Sequence, residues 1–210
     1  MMSEHIILVN KDDEILGTEE KNKCHLPIGK LHRAFTICLF NDDGKLLLTK
    51  RSYLKMLWPN CWDGTVASHP RHSESYITAA ERRVTEEINI SCKLEYLLKF
   101  EYHVLYDDVG SENEICGVLI GNINKCTNYN KNEISKIKWS GSDELNQELR
   151  KNIRNYCPWM ITALYLLLFS NENERIDIIN RNWITSKFKK TLERSIEYYF
   201  PNRESWRLIT

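Results

Sequence analysis

Net charge is the first thing this chain does without. Across 210 residues its 29 Lys and Arg are matched by 29 Asp and Glu, so no general affinity for nucleic acid or for a membrane surface is expected. Any anion must be held by local placement. A CxxC pair is also missing. The seven cysteines, Cys24, Cys38, Cys61, Cys92, Cys116, Cys126 and Cys157, are odd in number and widely spaced. That suits free thiols in a reducing cytoplasm and excludes a disulfide framework. No apolar run is long enough to span a bilayer: the longest, Trp159 to Phe169, reads as a buried helix. No charged n-region followed by an apolar core opens the chain, so no secretory signal is read. Repeats, low-complexity tracts and a clear interdomain linker are absent as well. What remains, with 42% hydrophobic and 28% charged residues, is the composition of a soluble cytoplasmic globule of one domain.

Local patterns place the elements. His5 to Val9 is a plausible strand closed by the polar turn Asn10 to Glu14, and Thr18 to Lys23 is charged, helical or loop. His25 to His32 contains Pro27 and Gly29 and reads as an exposed turn. The β-branched and aromatic run Arg33 to Phe40 predicts a strand, and Asn41-Asp42-Asp43-Gly44 a hairpin turn into Lys45 to Thr49. Asp63-Gly64 is a further turn signal. Thr78 to Glu87 predicts a helix with Ala79, Ala80, Val84 and Ile88 on one side. Leu94 to Leu105 and Glu114 to Ile120 read as paired strands around Asp107-Asp108-Val109-Gly110. Ile134 to Trp139 is a last strand, and Asp143 is expected to cap a short helix through Arg150. The tail reads as helical, with Trp183, Phe188, Leu192 and Ile196 on one face. Strands first, one helix between them and helices last predict a mixed α+β domain.

The residues able to carry chemistry are few. His25, His32 and His69 fall on loop or strand-edge positions, and Glu112 and Glu114 alternate on one strand, so their side chains share a face. Together they form a set of three nitrogens and two oxygens that suits Mg²⁺, Mn²⁺ or Zn²⁺.

The stretch from Trp62 to Ile90, WDGTVASHPRHSESYITAAERRVTEEINI, organises the rest. From Ser68, Glu74 comes six residues on and Arg82 eight after that, followed by Arg83, Val84, Glu86, Glu87 and Ile90. This spacing resembles the Nudix box, whose loop and helix hold a divalent cation against a diphosphate. Ser68 and Asn89 stand where that family has glycine, and Arg83 where it has glutamate. From the N-terminus to about Phe169 the chain resembles the type I isopentenyl-diphosphate isomerases, which have the Nudix fold. The segments that carry the resemblance are EHIILVN, KNKCH, LHRAFTICLFNDDGKLLLTKRS, WPNCWDGTV, SHP, ERRVTEE, ENEIC and PWM.

The resemblance implies a site. Metal ligands fall on His25, His32, His69, Glu112 and Glu114, and a second Mg²⁺, bridging the diphosphate, falls to Glu87. Cations for the diphosphate fall on Lys21, Arg51, Lys55 and Arg83, which accounts for Arg83 in the box. Glu114 takes the role of the acid that protonates a carbon–carbon double bond, with Tyr102 beside it, and Trp159 that of the indole that stabilises the resulting cation. The family's catalytic cysteine, however, falls on Ala67, which can neither give nor take a proton.

The expected function is therefore metal-dependent protonation of a prenyl diphosphate with the diphosphate retained. A cation without an adjacent base is open to attack by a second alkene, so the leading expectation is a proton-initiated terpene cyclase acting on a substrate longer than five carbons. One alternative is an isopentenyl/dimethylallyl diphosphate isomerase using Asp63, Ser68 or a water as substitute base. A non-catalytic isoprenoid-diphosphate binder and a Nudix hydrolase are the others, and Arg83 weakens the last. Residues 1–170 are expected to form the Nudix-like domain, and 171–210 a helical extension packed on it. Sequence leaves monomer and homodimer open.

Overall fold

The computed structural model describes residues 4–170, 179 and 181–209. The chain runs β1 (His5–Val9), β2 (Ile15–Glu20), α1 (Lys21–His25), β3 (His32–Phe40), β4 (Leu46–Arg51), β5 (Trp62–Asp63) and β6 (Val66–Ser68). There follow α2 (Tyr76–Ile88), β7 (Leu94–Tyr106), β8 (Gly110–Asn122), β9 (Ile134–Ser140), α3 (Ser142–Lys151), α4 (Pro158–Phe169), α5 (Ser186–Tyr199) and β10 (Trp206–Ile209). This is the expected α+β class.

β3 is the spine. It pairs in parallel with β8 from His32↔Glu114 to Phe40↔Asn122, and antiparallel with β6 at Phe35↔Ser68, Thr36↔Ala67 and Ile37↔Val66. The main sheet runs β10-β7-β8-β3-β1-β2, while β4 joins β3 to β5 and β9. Both faces of β3 are covered, which is why its sequence is nearly continuous in apolar residues instead of alternating. Ala34, Cys38 and Phe40 enter one core with Cys116, Val118 and Ile120 and with α4 and α5. Phe35, Ile37 and Leu39 enter a second core with Ala79, Ala80, Val84 and Ile88 of α2.

The helices follow from their ends. Ser75 caps α2 by accepting from the Thr78 N–H, and Asn89 closes it at φ 54°. Asparagine tolerates that left-handed position, so the glycine of the family pattern is replaced without loss of the cap. Ser68, by contrast, lies in ordinary strand backbone of β6 and needs no glycine. α4 begins with Pro158 at its first turn and is apolar all round, as befits a buried helix. Trp183, Phe188, Leu192 and Ile196 are all buried in the larger core.

Several elements differ from the sequence reading. Thr18 to Lys23 divides into the end of β2 and the start of α1. β8 starts at Gly110, so both glutamates sit within it. Gly141, not Asp143, is the N-cap of α3, and Asp143 lies in the first turn, where the helix dipole favours a carboxylate. The tail is not wholly helical: Trp206–Ile209 adds a strand to β7, with Trp206 opposite Tyr102. Of the expected C-terminal extension, residues 171–178 lie outside the described residues.

Candidate active site

Three separate stretches of chain deliver the histidines. His25 is the last residue of α1, His32 the first of β3, and His69 follows β6. The expected exposed turn from His25 to His32 is exposed only at its tip, for both histidines are buried. The ring centroids lie 4.7, 5.2 and 5.1 Å apart. Glu112 and Glu114 reach them from β8, Glu114 standing opposite His32 in the parallel register. One ligand atom from each of the five residues lies within 4.8 Å of all the others.

The donors fit a metal. His25 Nδ1 meets the Lys21 carbonyl at 2.7 Å and His32 Nδ1 the Lys30 carbonyl at 2.7 Å. Those contacts leave each Nε2 turned toward the cluster, the arrangement that orients imidazole ligands. His25 Nε2 is 3.0 Å from Glu112 Oε2 and His32 Nε2 is 3.3 Å from Glu114 Oε1. Even so, His32 Nε2, His69 Nδ1 and Glu112 Oε2 are buried without a partner in hydrogen-bond geometry. Burying unpaired polar atoms is costly, and a divalent ion among them would satisfy them together.

Glu114 is the junction of the cluster. Tyr102 stands opposite it in the β7–β8 register and donates its hydroxyl to Oε2, while His69 Nε2 lies 3.1 Å from Oε1. Burial pushes the Glu114 carboxyl up, but His32 and Tyr102 outweigh it and hold the pKa below the ordinary value. Burial, with Glu114 next, raises the Tyr102 phenol well above its usual range. Burial and then Lys21 and the other imidazoles pull His69 well down, so it is neutral and available as a ligand. His25 goes the other way: burial lowers it, but the Glu112 carboxylate prevails.

These groups open on a cavity of about 330 Å³. Lys21, Arg51, Lys55, Ala67, Tyr102 and Trp159 line it together with His25, His69, Glu112 and Glu114. Arg83 and Glu87 do not line it directly. Arg83 Nη2 bonds Glu87 Oε1 at 2.5 Å and lies 3.2 Å from Glu133, which does line it. Burial raises the Glu87 carboxyl despite that arginine. In this structure, then, the partner of Glu87 is Arg83.

Glu133 is the residue the sequence reading missed. Just before β9, it pairs with Lys55 and Arg83, two of the cations assigned to a diphosphate. Burial pushes Glu133 up, yet Lys55 and Arg83 bring it down to about 2. An acidic residue at the end of the polar run Asn128–Asn132 gives no local signal of this role. Only the fold brings it to the cavity.

Asp63 departs furthest from the sequence reading. Asp-Gly reads as a turn signal, but Asp63 is a buried member of β5, 2% exposed. Oδ1 accepts from Trp159 Nε1 at 2.8 Å and from the Gly64 N–H at 2.7 Å, and Oδ2 from Arg51 Nη1 at 3.2 Å. Arg51 also donates to the carbonyls of Trp58 and Leu57, and its guanidinium lies 5.1 Å from the Trp159 ring centroid. Ala67, in the cavity wall opposite Thr36, presents only a methyl group. Ser68 and Cys116 line the same cavity, whereas Cys61 points to the Arg154 carbonyl. All seven cysteines are free, and among the described residues no helix is long and apolar enough to cross a membrane.

Comparison with known proteins gives the same frame. Residues 30–160 match the NUDIX domain. The isopentenyl-diphosphate Delta-isomerase of Halobacterium salinarum is 36% identical over 170 residues, 77% of this chain and 79% of that protein. That of Serratia proteamaculans is 32% identical over 174 residues, 83% of this chain and 96% of that protein. Among solved structures, DR0079 from Deinococcus radiodurans superimposes with a TM-score of 0.59 at 24% identity, covering 71% of this chain and 90% of that one. The chain belongs to the type I isopentenyl-diphosphate isomerase family, within the Nudix fold.

Proposed function

We propose that this chain protonates the double bond of an isoprenoid diphosphate with the diphosphate retained, and that it interconverts the five-carbon pair, isopentenyl and dimethylallyl diphosphate. The observation that carries the reading is the Glu114 carboxyl, bonded by Tyr102, facing the same cavity as Lys21, Arg51 and Lys55. Lys21, Arg51 and Lys55, with Arg83 behind Glu133, would take the diphosphate, whose charge suits forked guanidinium donors. Glu133 must then release Lys55 and Arg83. Glu114, loaded with a proton from solvent, would deliver it while Tyr102 holds the carboxyl by its hydrogen bond, and the Trp159 indole would face the tertiary cation, a contact worth ~2 kcal/mol when desolvated. His25, His32, His69, Glu112 and Glu114 would hold a divalent ion, Mg²⁺, Mn²⁺ or Zn²⁺, which sharpens the acidity of the carboxyl it touches. Glu87, freed from Arg83, would reach a Mg²⁺ carried in on the diphosphate.

The cavity supports the five-carbon substrate. At about 330 Å³ it is small, its apolar lining includes Ala34, Phe35, Ala67 and Cys116, and Trp159 is backed edge-on by Trp58 at 5.3 Å. The curated relatives named above are isomerases too. The missing thiol leaves deprotonation as the slow half of the reaction. Asp63 does not supply it, since both of its oxygens are engaged. A water held beside Ser68 in the space left at Ala67 is the remaining acceptor.

One observation favours a second reading. The bare methyl of Ala67 in the cavity wall would let a cation live long enough for cyclisation of a longer prenyl chain. Isopentenyl, dimethylallyl, geranyl and farnesyl diphosphates, each incubated with Mg²⁺, separate the two. Interconversion of the C5 pair alone supports the isomerase, cyclic products from the longer substrates support the second reading, and release of phosphate opposes both. In either case residues 1–170 would form the catalytic domain and 171–210 a layer on it, supported by the burial of Trp183, Phe188 and Leu192 in the common core.

A further inference from the structure

A fixed cation and a transient one are asked to share one indole. The Arg51 guanidinium stands 5.1 Å from the Trp159 ring centroid, yet the reading above brings a carbocation to the same ring. An unscreened arginine there would repel the cation it is meant to help form, since like charges within a few ångströms in a buried site interact strongly. Asp63 is the group placed between them. Its Oδ2 takes Arg51 Nη1 at 3.2 Å and its Oδ1 takes Trp159 Nε1 at 2.8 Å, and the residue is buried at 2% exposure. The first contact neutralises the guanidinium. The second, an N–H donated to an anion, pushes electron density into the indole and deepens the negative face that attracts a cation.

We propose that Asp63 is a positioning residue that ties Trp159 to Arg51 and neutralises the arginine, so that the indole can receive a cationic centre while Arg51 binds the diphosphate. The inference rests on the functional reading above. It assigns to Asp63 neither proton transfer nor contact with substrate, because its oxygens are occupied by Gly64, Trp159 and Arg51.

The test uses two isosteric ligands, 2-(trimethylammonio)ethyl diphosphate and 3,3-dimethylbutyl diphosphate, which differ only in the charge at the branched centre. Their affinities are measured calorimetrically with the full-length protein. The wild type should prefer the ammonium ligand by about thirtyfold, the equivalent of a desolvated cation–π contact. Asp63→Asn should lose most of that preference while still binding the neutral ligand. Trp159→Phe should weaken it as well, and adding Asp63→Asn to Trp159→Phe should cost less than about twofold more, because the two act through one ring. A preference undiminished in Asp63→Asn, or an equal cost of Asp63→Asn with Trp or Phe at position 159, overturns the proposal. If Asp63→Asn does not fold, replacing Trp159 by benzothienylalanine removes only the N–H donor and should reduce the preference; unchanged preference overturns the proposal in that case too. A wild type that binds neither diphosphate instead defeats the functional reading itself, and the inference falls with it.

Discussion

Tyr102 and Glu114 face each other across the β7–β8 ladder, and the phenol donates to Oε2 of a carboxylate whose other oxygen lies 3.1 Å from His69 Nε2. The proposed acid role and the candidate ion site thus share this pair. Glu114→Gln keeps the shape and removes the proton, so turnover should fall by ~10²- to 10⁴-fold, the usual contribution of a positioned acid. Affinity for inorganic pyrophosphate, held by the cationic side of the cavity, should stay within a few-fold. Steady-state kinetics with isopentenyl diphosphate and calorimetry with pyrophosphate check the two halves.

Ala67 invites the converse experiment. Ala67→Cys, which introduces the thiol that the resemblance implies at this position, places a proton acceptor in the cavity wall opposite Thr36. Interconversion of the C5 diphosphates should accelerate by at least ~10²-fold. An unchanged rate would mean that deprotonation is not what limits this chain.

Glu133 has two measurable consequences. Its pKa is lowered from 4.5 to about 2, against its burial, by Lys55 and Arg83. A depressed carboxylate stabilises the fold above its unfolded pKa and loses that contribution as pH falls through its folded value. The stability gap between wild type and Glu133→Gln should therefore be full above pH 4.5 and close between pH 4.5 and about 2, seen by urea melts at each pH. At neutral pH the same variant, freed of a competitor for Lys55 and Arg83, should bind pyrophosphate more tightly.

The five-residue cluster should bind a divalent ion. His25→Ala or Glu112→Gln should each lower metal content, measured by mass spectrometry after dialysis, by ~10-fold or more in affinity, since each removes a ligand from a set within 4.8 Å. Metal removal should also lower thermal stability, because a ligand bound only to the folded state stabilises it.

Chain length should be set by Trp58. The residue is buried against Trp159 at 5.3 Å and Tyr106 at 4.7 Å. Trp58→Ala should admit geranyl diphosphate, measured by competition against isopentenyl diphosphate, at a cost of roughly 3–5 kcal/mol in stability.

Much of this was legible in the residues. Strand runs such as Arg33–Phe40 are legible because Phe35, Thr36, Ile37 and Phe40 enrich an almost wholly apolar run in β-branched and aromatic residues, and α2 because Ala79, Ala80, Val84 and Ile88 recur at helical spacing. The three histidines and two glutamates could be grouped by ligand type and by the alternation of Glu112 and Glu114, and the resemblance made them one site, but nothing local marks His25 and Glu112 as neighbours. What stayed hidden was set by tertiary pairing. Asp63 carries a turn-former's sequence, Asp-Gly, but β5 pairing with β4 at Thr49↔Asp63 puts it next to Arg51 and buries it. Trp206–Ile209 is short and follows a helix, so only the open edge of β7 makes it a strand. Glu133 needed the fold to meet Lys55.

The most direct measurement is deuterium uptake. The protein is incubated in D₂O with Mg²⁺ and dimethylallyl or isopentenyl diphosphate, and the recovered ester is examined by NMR and mass spectrometry. The account predicts carbon-bound deuterium in an ester whose diphosphate is intact, faster with Cys at position 67 and lost with Gln at position 114. Recovery of unlabelled ester, or appearance of free phosphate in place of labelled product, would contradict it.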